Sequence, residues 1–226
     1  MGKLAQLATV KSAKTETFVY VPSDAAYKAA RILLRANLGL TPGAPPSTTL
    51  EVLTAVLRGL RRASPLGRIL IIDRICPSSS AERVFERLGL AERLDEEMRF
   101  AASDELVQKA YGPLQAPAYL EEFDCVVSLT GWGVENGQVR SALEGLYGLA
   151  RCDDAYLVGE GETRHRLVCD YLAPHIDDWI VELPRAPQRE GQVVWGKDGL
   201  AVEETACRLA GVPVPPHVLA LRANRS

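Results

Sequence analysis

Three apolar runs in this chain end in residues that bind or move charge. Arg35 and Asn37 close the first (RILLRANL), Asp73, Arg74 and Ser78 the second (RILIIDRICPS), and Thr130, Trp132, Glu135 and Asn136 the third (CVVSLTGWGVEN). A guanidinium such as Arg35 suits a carboxylate or a phosphate. Asp73 can orient a hydroxyl or move a proton, and serine hydroxyls such as Ser78 can join helix amides around an anion. Gly131, Gly133 and Gly137 let the backbone approach a ligand closely, and Trp132 offers a flat apolar face. Glu135 and Asn136 add an acid and an amide. Asp73 and His165 are therefore the candidate proton-transfer residues. Arg35, Asn37, Arg74, Ser78, Thr130, Trp132, Glu135 and Asn136 are the candidate ligand-binding residues. Each has a plain structural alternative: an Asx turn at Asp73, a structural ion pair at Arg35, a packed ring at Trp132.

Other chemistry is poorly supported. His165 and Cys169 lie four apart on an expected helix, with Asp170 and His175 nearby, a set that could hold zinc or iron. Cys169 sits among Leu167, Val168 and Leu172, however, so a core position is the simpler reading and no metal is expected. The five cysteines form no C-x-x-C pair, and Cys125 and Cys207 lie in apolar periodic segments as expected core residues. The absence of GK[ST] and of G-x-G-x-x-G speaks against ATP and NAD, and there is no nucleophile elbow. Glu203 and Glu204, at a helix start, read as complements to the helix dipole. The cofactor stays unknown.

Local patterns supply the elements that would position these residues. Strands are expected at 17–21, 31–36, 68–73, 123–129, 155–158, 179–183 and 193–195. A short helix follows Asp24. Thr48 or Thr49 caps a longer one, in which Leu50, Leu53, Val56, Leu57 and Leu60 share a face. Further helical patterns cover 81–90, 91–100, 138–149, 162–173 and 197–211, the last with Gly211 as its stop. Residues 37–47 and the glycine-rich stretch 130–137 read as loops, residues 100–118 have no clear pattern, and Pro213, Pro215 and Pro216 argue against a regular helix in the tail. Alternating strands and helices give a three-layer α/β fold, with a mainly parallel open sheet and helices on both faces. In such sheets, ligands bind where strand C-termini meet helix N-termini. One domain over 1–226 is expected, with 1–16 and 218–226 peripheral.

With 47% hydrophobic and 24% charged residues the chain has an ordinary globular composition, and its net charge of -3 implies no bulk attraction to nucleic acid or anionic lipid. It has no run of 18 apolar residues and no secretory h-region near Met1, so a cytoplasmic protein without membrane spans is expected. A homo-oligomer is compatible with the tail and the proline-rich loop.

Four segments, in order, resemble the family called domain of unknown function 362. RILLRANL stands where that family has a strand and a Lys-Pro-Asn-Leu turn. IIDRICPSSSAERVFERLGL matches a strand, an acidic turn and an "AEEVFEKTGL"-like helix. EFDCVVSLTGWGVENG and SALEGLYG match the "ADVVINLPKLKTH" strand and the "ALKNLFG" helix end, and DGLAVEETACRLAG matches "DPVAVDAVAARLLG". The resemblance spans residues 31–211. It implies the α/β fold and a site at the strand ends, but no particular reaction. The chain departs from the pattern at several points. Arg35 and Ala36 replace Lys-Pro, GWGVENG lacks the Lys-x-His, Glu144 and Gly145 replace Lys-Asn, and Glu203 replaces an aspartate. The cysteines give no ferredoxin-like cluster domain. Two functions fit: an enzyme acting on a small anionic metabolite at the strand C-terminal crevice, or a non-catalytic ligand-binding or complex-forming relative.

Overall fold

A computed structural model describes residues 10–38, 48–73, 89, 92, 94–102, 107–135, 138–146, 149, 166–167 and 169–223. The elements follow in chain order. β1 (Lys11–Lys14) and β2 (Arg31–Ala36) lead to α1 (Leu50–Ala63) and β3 (Arg68–Asp73), then β4 (Met98–Ala102), β5 (Gln108–Tyr111), β6 (Leu114–Pro117) and β7 (Cys125–Gly131). β8 (Gly133–Glu135), β9 (Gln138–Arg140) and the short α2 (Ala142–Gly145) come next. β10 (Asp178–Leu183), β11 (Gln192–Gly196), α3 (Gly199–Ala210) and α4 (Pro216–Ala223) complete the order.

Seven strands form the main sheet in the order β1-β11-β10-β7-β2-β3-β4. The block from β10 to β4 is parallel, and β11 is antiparallel to both of its neighbours. Side-chain alternation in these strands serves two cores. On one face Ile32, Leu34, Ile69, Ile71, Val127 and Leu129 pack against Leu53, Val56, Leu57 and Leu60 of α1. On the other, Leu33, Val126, Trp179 and Val181 pack with Leu143 of α2, Val202 and Ala206 of α3 and Val218 of α4. The three-layer α/β arrangement expected from the sequence is what forms. Each fully buried Leu, Ile or Val contributes about 1.5–3 kcal/mol, so these two apolar layers carry the fold.

Helix ends follow local chemistry. Thr49 caps α1, its hydroxyl accepting from the Val52 amide at 3.3 Å, and Arg61 and Arg62 sit in the last turn where the dipole favours them. Asp198 caps α3 by accepting from Leu200 and Ala201. Gly211 ends that helix at φ 72°, a left-handed conformation natural to glycine.

Several sequence expectations are corrected. Residues 17–21 form no strand: Phe18 and Tyr20 are buried in alternation with exposed Val19 and Val21, but no strand among the described residues pairs with the segment, and Lys11–Lys14 supplies the edge strand instead. The helix after Asp24 is a single 3-10 turn, Asp24–Ala26. The helical pattern of 91–100 gives way at Met98, which starts β4 because pairing with β3 outweighs local propensity. The stretch 130–137 is no open loop: β7 runs on to Gly131, and Gly133–Glu135 pairs with Gln138–Arg140. The helix expected over 138–149 shrinks to Ala142–Gly145. The tail does hold a helix, because Pro216 occupies its first position, where a missing N–H costs nothing. Residues 76–88 and 155–158, with the turn, helix and strand expected there, lie outside the described residues, as does the 162–165 start of the 162–173 helix.

Candidate functional site

The chain runs from β2 through α1 to β3 and β4 on one side, then returns to place β7 and β10 on the other side of β2. α1 covers one face, whereas α2 and α3 cover the opposite face. The gap between β2 and β7 is therefore the topological switch point, where open α/β sheets hold ligands at the strand C-termini. The tips of the three apolar runs do meet here: Ala36 is the register partner of Leu129, and Arg35 that of Ile72 and Ser128.

Arg35 is the centre of this crevice. Alternation puts it on the same face as Leu33, under α2, and it is 2% exposed. Its Nη2 lies 3.9 Å from Asp73 Oδ1, an ion-pair distance but not a hydrogen bond. Arg35 Nε and Nη1 have no hydrogen-bond partner among the described residues. Burial lowers the pKa of the guanidinium, and the Asp73 charge offsets part of that shift. Asp73, also 2% exposed, accepts from the Leu38 amide at 2.8 Å through Oδ2. The amides that an Asx turn at Asp73 would use lie outside the described residues.

The β7 side adds hydroxyls. Ser128 and Thr130 alternate with the apolar residues and so face α2 beside Arg35. Ser128 Oγ has no partner among the described residues, and Thr130 Oγ1 reaches only the neighbouring Gly131 carbonyl at 3.3 Å. α2 closes down on this group through Gly145. A Cβ there would lie 3.0 Å from Arg35 Nη1 and 3.1 Å from Thr130 Cβ, so a side chain at this position would have to push its neighbours back. The α2 N-terminus is held by Glu203 of α3, 1% exposed, which accepts from the Leu143 amide at 3.0 Å. Glu203 is thus a buried tie between helices, not the surface dipole complement expected from its place in the sequence.

On the α1 face, Glu182 at the tip of β10 accepts from the Thr49 amide at 2.7 Å, and burial raises its carboxyl above the ordinary range. Asn37 continues the β2–β7 pairing through its amide, and its carbonyl accepts from both the amide and the hydroxyl of Thr48, which fixes the start of α1.

The remaining candidates fall differently. Trp132 is 7% exposed, packed in the core with its amide bonded to the Glu182 carbonyl and Arg189 over its ring at 5.4 Å. Its ring therefore presents no open face to a ligand, and the packed alternative holds. Glu135 lies in β8, beyond the β7 tip. Arg74, Ser78, Asn136 and His165 lie outside the described residues. Cys169 is 1% exposed and His175 stands edge-on to Tyr111 at 5.1 Å, and the described residues contain no metal-ligating group of three. Burial pushes the Cys125 thiol up to about 12 and that of Cys207 up to about 11, so both stay protonated and inert. A cavity of about 260 Å³ beside Trp179, Lys197 and Gly199 lies at the opposite end of the parallel strands.

The sequence does not point to Ser128, Ser141 or Glu182, and it points to Gly145 and Glu203 only as departures from the family pattern and, for Glu203, as a dipole complement. The signal for Ser128 and Glu182 was available: a lone polar residue inside an apolar strand, near its C-terminal end.

Fold and crevice define a three-layer α/β protein with a buried arginine at its switch point. No protein-family model and no curated protein matches the chain. Among solved structures it is similar to the lactate racemase apoprotein from Thermoanaerobacterium thermosaccharolyticum, with a TM-score of 0.61 and 13% identity. The match covers 84% of this chain and 52% of that one, so the chain spans about half the length of this neighbour. At that identity the likeness is one of fold. No helix among the described residues is long and apolar enough to cross a membrane.

Proposed function

We propose that the chain binds a small anion at the switch point, with Arg35 as its anchor. The observation that carries this reading is the Arg35 guanidinium, buried at a strand tip with two nitrogens unmet by any described residue. Each unmet buried donor costs about 1–3 kcal/mol, and more when charged. An anion seated on Nε or on Nη1 recovers part of that cost and neutralises the buried charge. Asp73 is too distant to do so.

Ligand holding is favoured over proton transfer by Asp73. One of its oxygens holds the Leu38 amide and the other faces Arg35, which gives it an orienting role. The enzyme reading has Asp73 move a proton on the bound anion. Asp73→Asn would separate the two, since binding survives in the first case and turnover is lost in the second. The four segments that resemble the domain of unknown function 362 family support the further proposal that the chain is a diverged relative of it.

The test is a thermal-shift series at constant ionic strength with phosphate, sulfate, acetate and lactate. Lactate is included because of the protein whose fold this chain shares. An anion at a hundred times its dissociation constant adds about 2.7 kcal/mol, or about 5–10 °C in a chain of this size. That shift should vanish in Arg35→Met. A shift that persists in the variant would place the site elsewhere, and no shift with any anion would refute the proposal.

A further inference from the structure

We infer that the group held at Arg35 is a tetrahedral oxyanion, a phosphate ester or free phosphate, and not a carboxylate. This inference rests on the anion reading above and narrows it. Arg35 and Ser128 are register partners on adjacent strands and face the same side, under α2. Both are nearly sealed from solvent, at 2% and 1% exposure. Arg35 Nε, Arg35 Nη1 and Ser128 Oγ all lack a partner among the described residues. Thr130, completely buried two residues further along β7, donates its hydroxyl proton to the adjacent Gly131 carbonyl at 3.3 Å, a long bond that a stronger acceptor can replace by rotation of the hydroxyl. Ser141, just before α2, is also completely buried, its hydroxyl has no partner among the described residues, and its carbonyl accepts the Gly145 amide.

The set offers donors from two strands and from the residue just before α2, with Asp73 as the nearby acid. A carboxylate carries two oxygens in one plane and is satisfied by a single edge of a guanidinium. With both oxygens in one plane it reaches fewer donors of a set spread over two strands than a tetrahedral group does. A phosphate group spreads three or four acceptor oxygens in space, and so meets a guanidinium and flanking hydroxyls together. Its charge of -1 to -2 also answers the buried guanidinium more fully than a single negative charge.

Isothermal titration of the intact protein with inorganic phosphate and with acetate, at matched ionic strength, tests this. Phosphate should bind at least about tenfold more tightly than acetate. Ser128→Ala should weaken phosphate about five- to tenfold and leave acetate within about twofold. Should that variant fold poorly, Thr130→Val is the second probe, with the same expected split. Acetate binding as tightly as phosphate, or equal losses for both ligands in the variant, would overturn the oxyanion assignment while leaving the anion site intact. If neither binds in an Arg35-dependent way, the anion reading itself fails.

Discussion

Arg35 and Asp73 stand 3.9 Å apart at the tips of neighbouring strands, both buried, and no hydrogen bond joins them. A fully formed buried pair would be bidentate and closer to 2.8 Å. The wider spacing leaves the guanidinium under-satisfied, and that is the state expected of a site built for something else. Buried charge without full pairing is costly, so the arrangement trades stability for a poised cation.

Arg35→Met follows from this spacing. The apolar side chain removes a desolvated charge and its two unmet donors, while Asp73 keeps the Leu38 amide. Because the change also strips Asp73 of its counter-charge at 3.9 Å, the gain and the cost offset, and the unliganded variant should melt within about 4 °C of the wild type. A fall of more than about 6 °C would mean that Arg35 is a structural keystone with partners of its own.

Glu203 ties α3 to α2 through the Leu143 amide. Glu203→Leu leaves that amide unmet and should cost about 1–3 kcal/mol, read as a lower urea midpoint. Glu203→Gln retains an acceptor oxygen and should lose less. Equal losses in the two variants would show that charge, not the hydrogen bond, holds α2.

A pH signature attaches to Asp178. Its carboxylate accepts from Tyr20 Oη and the Ser23 amide, both at 2.7 Å, yet burial outweighs these bonds and raises its pKa above the ordinary carboxyl range. A raised folded pKa means the native state holds this proton more tightly than the unfolded chain does. The contribution is full below the ordinary carboxyl pKa and is lost as pH climbs through the raised value. Melting of Asp178→Asn relative to wild type should therefore be more favourable at about pH 7.5 than at about pH 4. The opposite ordering would mean that hydrogen bonding, not burial, dominates at this carboxyl.

The layers pack closely enough to test by one methyl group. A Cβ on Gly59 of α1 would meet the Tyr20 carbonyl at 2.6 Å and the Tyr20 ring at 2.7 Å. Alanine gains up to about 1 kcal/mol as a helix former, whereas overpacking costs about 1–3 kcal/mol. Gly59→Ala should melt lower by about 2–6 °C. A higher melting temperature would show that α1 sits looser on the segment that carries Tyr20.

What the sequence reveals depends on how local the cause is. β2, β3, β10, α1 and α3 are legible because periodicity, caps and glycine stops lie within the segment itself. β4 is not, since MRFAA carries a helical pattern on its N-terminal side and becomes a strand only by pairing with β3. The β8–β9 hairpin hides in a glycine-rich stretch for the same reason. In the site, Arg35, Asp73 and Thr130 stand out as polar ends of apolar runs. Glu203 does not, because its partner Leu143 lies 60 residues away and only the packing of two helices brings them together. Trp132 misleads, because a flat ring next to glycines reads as a ligand face and serves instead as core.

A crystal structure grown in phosphate tests the central claim most directly. The account predicts a tetrahedral density within about 2.7–3.2 Å of Arg35 Nε or Nη1 and of the Ser128 hydroxyl. If those nitrogens instead bond to oxygens of the protein itself, or meet water alone, Arg35 is not an anion anchor and the account is wrong.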